Sequence, residues 1–261
     1  LFFTSSHQEG FDRADIIIIA VGTPQQEDGS ANLSYLEQAA KDIAAYLTKD
    51  AIVVMKSTVP VGTNEWVKQI LEDLLQGRMK IEMVSNPEFL RQGSAISDTM
   101  HADRIVIGSE SKEAAQRIEE MYQPLNVPCL KTSTRSAEMI KYASNAFLAT
   151  KISYINEVAN LCEAVGANIA EVAIGMGKDK RIGEAFLQAG IGYGGSCFPK
   201  DVKALIHTAQ VNGMPFSLLK ETVAINDFQH ELLVTKAIKR FGKLKGKKIG
   251  MLGLAFKSET D

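Results

Sequence analysis

A continuous run of branched apolar residues, Asp15-Ile16-Ile17-Ile18-Ile19-Ala20-Val21, opens the patterned part of the chain. Such a run predicts a parallel strand buried on both faces rather than an alternating, half-solvated one. Gly22-Thr23-Pro24 breaks it, and Leu33, Leu36, Ala40, Ile43 and Leu47 then recur at helical spacing. The alternation continues along the chain. A strand is predicted over Ala51–Met55, and a helix capped by Thr63 or Asn64 runs from there through Leu75. Further strands are expected at Glu82–Val84 and Arg104–Ile107, and a helix over Lys112–Tyr122. Strand and helix in alternation imply an α/β fold, a twisted parallel sheet covered on both sides. Ligands of such sheets collect beyond the carboxyl ends of the strands. Gly22-Thr23-Pro24, Ser57-Thr58 and Ser85-Asn86-Pro87-Glu88 all fall at such ends.

Beyond about Thr134 the texture changes. From Ser136 to Val165 there is neither Gly nor Pro, while Ile140, Phe147, Ile152, Ile155, Ala159 and Cys162 keep near-helical spacing. A helix of about thirty residues is long for a globular domain and suits a spine joining domains or subunits. Helical patterning continues over Ile169–Met176, Pro199–Val211 and Phe216–Phe241. The run Lys247–Phe256 reads as the opening strand of a second α/β domain, although Gly250 and Gly253 do not make a GxGxxG. The expected division is therefore residues 1–133, 134–244 and 245–261. No internal repeat or low-complexity tract interrupts this plan.

Composition narrows the function classes. The 261 residues are 45% hydrophobic and 23% charged, ordinary values for a soluble globular protein. A net charge of -2 without a basic run argues against nucleic-acid binding. The run Ile16–Val21 is too short to span a bilayer, and Leu1-Phe2-Phe3 lacks the basic start of a signal peptide. Cys129, Cys162 and Cys197 are scattered and odd in number, which fits a reducing cytoplasm rather than a disulfide framework. With no CxxC and no cluster among four histidines, no metal site is expected. Both ends read as cut: the first residue is not Met, and the chain stops directly after a strand-like run.

The richest local signal is Gly192-Tyr193-Gly194-Gly195-Ser196-Cys197-Phe198-Pro199-Lys200-Asp201. Pro199 suits the first turn of a helix, which places Cys197 at or just before a helix N-terminus. Unpaired N–H groups there, with Lys200 nearby, favour an anionic sulfur. The plainer alternative is a small thiol packed beside a loop. Lys141 and Asn145, four residues apart, share one helix face. Lys141 sits among Met139-Ile140 and Tyr142-Ala143, so it either snorkels to solvent or serves a buried anionic site. Glu88 is equally ambiguous as a surface carboxylate or a site residue. Arg181, in a loop with Lys178, Lys180 and Gly183, is either a solvated charge or a grip for phosphate.

Taken together, these blocks resemble the UDP-glucose/GDP-mannose dehydrogenase family over nearly the whole chain. The likeness runs through Val21–Pro24, Ser57–Thr63, Asn86–Arg91, Asp103–Gly108, Lys141–Asn145, the Cys197 loop and Gly253–Lys257. It implies a partial Rossmann-like parallel sheet domain for NAD, a central all-helical domain for dimerisation and catalysis, and the start of a second Rossmann-like domain. The wording Gly-Gly-Ser-Cys-Phe-Pro-Lys-Asp is similar to that of the UDP-glucose branch. It implies a cytoplasmic homodimer that oxidises UDP-glucose to UDP-glucuronate with two NAD⁺, through a thiohemiacetal and thioester on Cys197. Lys141 and Asn145 would steady the oxyanion, Asp201 would move a proton or water, and Thr58 and Glu88 would complete the polar network. Phe89, Leu90 and Arg91, the loop residues Phe186, Leu187, Tyr193 and Gly194, and Arg181 and Lys257 would contact substrate. Val21, Gly22, Thr23, Pro24, Ser57 and Thr58, with Glu88 and Lys200, would line NAD. Two features depart from the pattern. Many members carry Glu at the position of Gln92, and the family's Gly-rich pyrophosphate turn has no counterpart in these residues. Alternatives are another nucleotide-sugar dehydrogenase (GDP-mannose or UDP-N-acetylhexosamine), a two-electron hydroxyacid dehydrogenase, or an inactive fragment of such an enzyme.

Overall fold

The structure is a computed structural model that describes residues 2–253, 255 and 260. It divides into two compact units, Leu1–Tyr142 and Ala143–Asp261, with the dividing line inside the long helix.

In the first unit β1 (Ile16–Ile19), β2 (Ala51–Met55), β3 (Ile81–Ser85), β4 (Ile105–Gly108) and β5 (Cys129–Thr132) lie side by side in that order. The first three are parallel, with Ile17 beside Val53 and Val53 beside Met83. β4 runs antiparallel to β3, meeting it at Ser85 and Gly108, and β5 is parallel to β4. The sheet is thus mostly but not wholly parallel. Parallel neighbours need a covering crossover, whereas the link from β3 to β4 holds only the six-residue α4 (Ala95–Met100). β5 escaped the sequence pattern because its four residues, Cys-Leu-Lys-Thr, are short, mixed and none of them buried.

Two helix layers bury the sheet. After the short α1 (His7–Phe11), α2 (Ser34–Tyr46) and α3 (Thr63–Leu75) place Leu36, Ile43, Val67 and Leu71 against Ile17, Ile19, Val53 and Met55. On the opposite face α5 (Lys112–Tyr122) sets Ile118 against Val54, Val84 and Ile107. Each such side chain contributes roughly 2 kcal/mol by leaving water. Because α5 packs on β3 and β4, Ile18 of β1 stays 47% exposed, contrary to a strand buried on both faces.

The start of α3 corrects another expectation. Its N-cap is Gly62, at φ +97°, and Thr63 turns its hydroxyl to donate to the Pro60 carbonyl (2.6 Å). The N–H groups there are met from 74 to 76 residues away: Glu138 accepts from Gly62 N (2.7 Å) and from Asn64 N and Nδ2 (2.8 and 2.7 Å). Burial raises the Glu138 carboxyl above its ordinary range. Gly108 lets the segment that carries Glu138 come close, since a Cβ there would stand 2.5 Å from the Ala137 Cβ.

The long helix α6 (Thr134–Val165) contributes its first turns to the first unit and the rest to the second. In the second unit α7 (Ile169–Gly177), α8 (Phe198–Val211) and α9 (Ser217–Phe241) follow, all within a residue of the periodic pattern. Polar contacts tie α6 to α9: Ser153 donates to the Thr222 carbonyl (2.8 Å) and Asn160 to Gln229 (3.1 Å). Residues 247–253 form no strand. An apolar run becomes a strand only where a neighbour supplies its ladder, and Leu254, Phe256 and Lys257 lie outside the described residues. Among the described residues no helix is long and apolar enough to cross a membrane, and no His/Cys/Asp/Glu group could hold a metal.

Candidate active site

Two clusters, one in each unit, gather the chemistry-bearing residues. In the first unit the chain leaves β1 as Ala20-Val21-Gly22-Thr23-Pro24 and leaves β2 as Lys56-Ser57-Thr58. Side chains stitch these adjacent ends together. The Ser57 hydroxyl donates to the Val21 carbonyl (2.7 Å), and the Thr23 hydroxyl donates to the Thr58 carbonyl (2.8 Å). A Cβ added to Gly22 would meet nothing within 4 Å, so open space lies over this turn.

Asn86, at the end of β3, is buried; its N–H donates to the Met55 carbonyl (2.9 Å) and its side-chain amide to the Val106 carbonyl (2.8 Å). That anchorage aims the following turn. Glu88 accepts from Leu90 N (2.5 Å) and from the Lys141 ammonium (3.2 Å). The ring of Phe89 meets two cations, with Lys141 Nζ 5.3 Å and Arg104 4.1 Å from its centre. Lys56 joins them, donating to Asn86 Oδ1 (3.0 Å) and the Tyr122 hydroxyl (3.2 Å). Burial lowers Lys56 to about 8; the charge of Glu88 raises it again, and that of Lys141 adds to the lowering. This cluster carries more cation than carboxylate, which suits an anion or a developing oxyanion.

In the second unit Cys197 is the N-cap of α8 and is exposed, while Asp201, one turn on, is buried. Asp201 N donates to the Cys197 carbonyl (2.9 Å). The Asp201 carboxylate accepts from Asn145 Nδ2 (2.6 Å) and Lys200 Nζ (2.7 Å). Ser196 Oγ is 3.7 Å from the sulfur. Beside them the rings of Phe186 and Tyr193 pack on Phe198 at 6.1 and 6.0 Å. Leu187 is buried, and Gly194 has open space where a Cβ would stand. Burial, with the charge of Asp227, pushes the Tyr193 phenol up to about 12, and among the described residues its oxygen has no hydrogen-bond partner.

Residues 1–126 match the NAD binding domain of the UDP-glucose/GDP-mannose dehydrogenase family, and residues 135–228 match that family's central domain. The chain belongs to the UDP-glucose/GDP-mannose dehydrogenase family. It is 55% identical to UDP-glucose 6-dehydrogenase YwqF of Bacillus subtilis, an alignment covering 100% of this chain and 59% of that protein. The structure is similar to that of a UDP-glucose dehydrogenase from Pyrobaculum islandicum, with a TM-score of 0.93 and 42% identity over 97% of this chain and 60% of that one. A UDP-D-ManNAc dehydrogenase from Pyrococcus horikoshii follows at 0.79 and 28%, over 89% of this chain and 56% of that one. The chain thus spans about 60% of the length of the curated relatives it matches.

Against the residues that the family resemblance singles out, the structure is specific. Lys141 is buried rather than snorkelling, and Glu88 faces it rather than open water. Cys197 is the exposed thiol, and Cys162 is the packed one. Asn145, Lys200 and Asp201 converge, as do Ser57 and Thr58 with Val21, Thr23 and their turn at Gly22 and Pro24. Other residues stand apart. Arg91 forks onto Asp98 (2.5 Å), holding that carboxyl well below its usual range, and Leu90 is exposed. Arg181 forks onto its neighbour Asp179 (2.6 Å). Lys257 lies outside the described residues. Sequence reasoning missed Lys56 and Tyr122 as parts of the first cluster. One signal was present, a lysine placed directly after the apolar strand Ala51–Met55. Tyr122 reaches the cluster only through the fold.

Proposed function

We propose that this protein belongs to an enzyme that oxidises UDP-glucose to UDP-glucuronate in two NAD-dependent steps, with Cys197 as the nucleophile. The exposed thiol at the N-cap of α8, one turn before a buried and doubly hydrogen-bonded Asp201, carries the reading. The choice of sugar is supported by sequence: the UDP-glucose enzymes above share 42–55% identity, against 28% for the amino-sugar enzyme.

NAD⁺, when bound, accepts a hydride in each oxidation. The open turn at Gly22 and the adjacent ends of β1 and β2 fit its nicotinamide side, with Val21, Thr23, Pro24, Ser57 and Thr58 as the lining. The first step takes the C6 alcohol to an aldehyde with loss of a proton and a hydride. Lys141, buried against Glu88 and Phe89, offers positive charge to the oxygen as it loses that proton. The Cys197 sulfur then adds to the aldehyde carbon. Loss of the second hydride leaves a thioester, and water cleaves it to the acid and restores the thiol. In this reading Asp201, held by Asn145 and Lys200, takes the proton of that water. A two-electron hydroxyacid dehydrogenase would leave the exposed Cys197 without a task.

Limited iodoacetamide treatment with peptide mapping tests the thiol. Cys197 is expected to label first, ahead of Cys129 and the buried Cys162; equal labelling of all three in folded protein would remove the nucleophile. In turnover, Cys197→Ser is expected to stop formation of UDP-glucuronate, because an alkoxide forms far less readily than a thiolate.

We further propose a homodimer seam on α6. Phe147, Tyr154 and Leu161 recur every seven residues and are all exposed. Leu161→Glu is expected to halve the mass seen by sedimentation, and an unchanged mass would place the seam elsewhere.

A further inference from the structure

The loop that precedes Cys197 has no ladder of its own, yet the backbone groups of Gly190 and Tyr193 are paired. Three amide side chains from two helices hold it. Gly190 N donates to Asn156 Oδ1 (2.8 Å), and Gln229 Nε2 donates to the Gly190 carbonyl (2.8 Å). Asn226 does both tasks at one residue, accepting from Tyr193 N (2.7 Å) and donating to the Tyr193 carbonyl (3.1 Å). A carboxamide presents one acceptor and one donor side by side, the pair that a neighbouring strand would otherwise supply. Asp lacks the donor, and Ser cannot serve both groups with the same reach.

The fit is close. Asn226 is 5% exposed, and Gly192 passes directly over it at φ +105°. A Cβ on Gly192 would stand 2.6 Å from Asn226 Oδ1. From this anchor the contacts lead to the thiol. Tyr193 packs edge-on against Phe198, and Phe198 is the first residue of α8, immediately after Cys197.

We propose that Asn226 is a positioning residue for Cys197: by clamping both backbone groups of Tyr193 it fixes the Tyr193–Phe198 contact, and so the cap position from which the sulfur reacts. This rests on reading Cys197 as the nucleophile. The helix terminus acts on the sulfur only while Cys197 stays at the cap. Loosening the clamp therefore slows the thiol, and does so independently of any loss of stability.

The test compares Asn226→Ala, Asn226→Asp and Gln229→Ala by thermal midpoint and by the iodoacetamide rate of Cys197 at neutral pH. Asn226→Ala is expected to slow that rate about fivefold, the scale of one net hydrogen bond, with Cys129 labelling unchanged. Gln229→Ala frees the Gly190 carbonyl but leaves Tyr193 held, so the Cys197 rate is expected to stay within twofold of the parent. Asn226→Asp keeps the bond from Tyr193 N and the size of the side chain. It gives an intermediate rate, and it carries the test should the alanine variant not fold. A lowered midpoint with an unchanged Cys197 rate in both Asn226 variants would overturn the proposal and leave Asn226 purely structural. Retained turnover in Cys197→Ser would instead overturn the nucleophile, and the alkylation result would still report on the clamp.

Discussion

The Lys141–Glu88 pair of the first unit buries its cation: the Lys141 side chain is 5% exposed and that of Glu88 28%. In the Lys200–Asp201 pair of the second unit the proportions reverse, to 20% for the lysine and 2% for the aspartate. The surroundings follow the buried sign. Lys141 rests over the Phe89 ring with the second cation Lys56 in its field, so the first cluster has charge to spare for an incoming anion. Asp201 takes donors from Asn145 and Lys200, so its charge is already answered within the fold. A pair that looks the same in a sequence can thus serve opposite ends. The wetter partner is the replaceable one only where a second group also answers the buried charge.

That difference can be broken by deleting the wetter partner of each pair. Glu88→Gln leaves the Lys141 ammonium buried beside another cation and is expected to cost about 3 kcal/mol of unfolding free energy. Lys200→Ala leaves Asp201 with the Asn145 amide and is expected to cost about 1 kcal/mol. Urea unfolding of both variants measures the two losses. Equal losses would mean that the buried sign makes no difference.

A smaller effect sharpens the same contrast. Lys56 is lowered to about 8 from an ordinary 10.5, first by burial. Between those pH values the unfolded chain binds more protons at this site than the folded one, so stability rises with pH across that window. Below pH 8 the penalty of charging a half-buried lysine is fully present. Lys56→Met is expected to flatten the rise, seen as urea midpoints that converge on the parent's toward pH 10.5. Parallel midpoint curves would contradict it. In the Lys56→Met background Glu88→Gln is expected to cost less than it does alone, because the repelling neighbour of Lys141 is gone.

Much of this molecule is decided by local pattern. Branched apolar runs ended by Gly-Thr-Pro or Lys-Ser-Thr specify strands and their ends, because only a covered sheet hides so many contiguous apolar side chains. A stretch without Gly or Pro from Ser136 to Val165 specifies the long helix, and the glycines before Cys197, with Pro199 after it, specify an accessible thiol at a helix start. Tertiary structure alone decided the rest. It set β4 antiparallel to β3, recruited β5 from an unpromising segment, and left Ile18 bare where no helix reached. It also replaced the expected Thr63 or Asn64 cap with Glu138, buried Lys141 and Asp201, and brought Asn226 under Tyr193. Each of these depends on which partner arrives from 20 to 76 residues away. Spacing along the chain reports the faces of a helix or strand, but a buried charge or backbone group takes whichever partner the packed fold delivers.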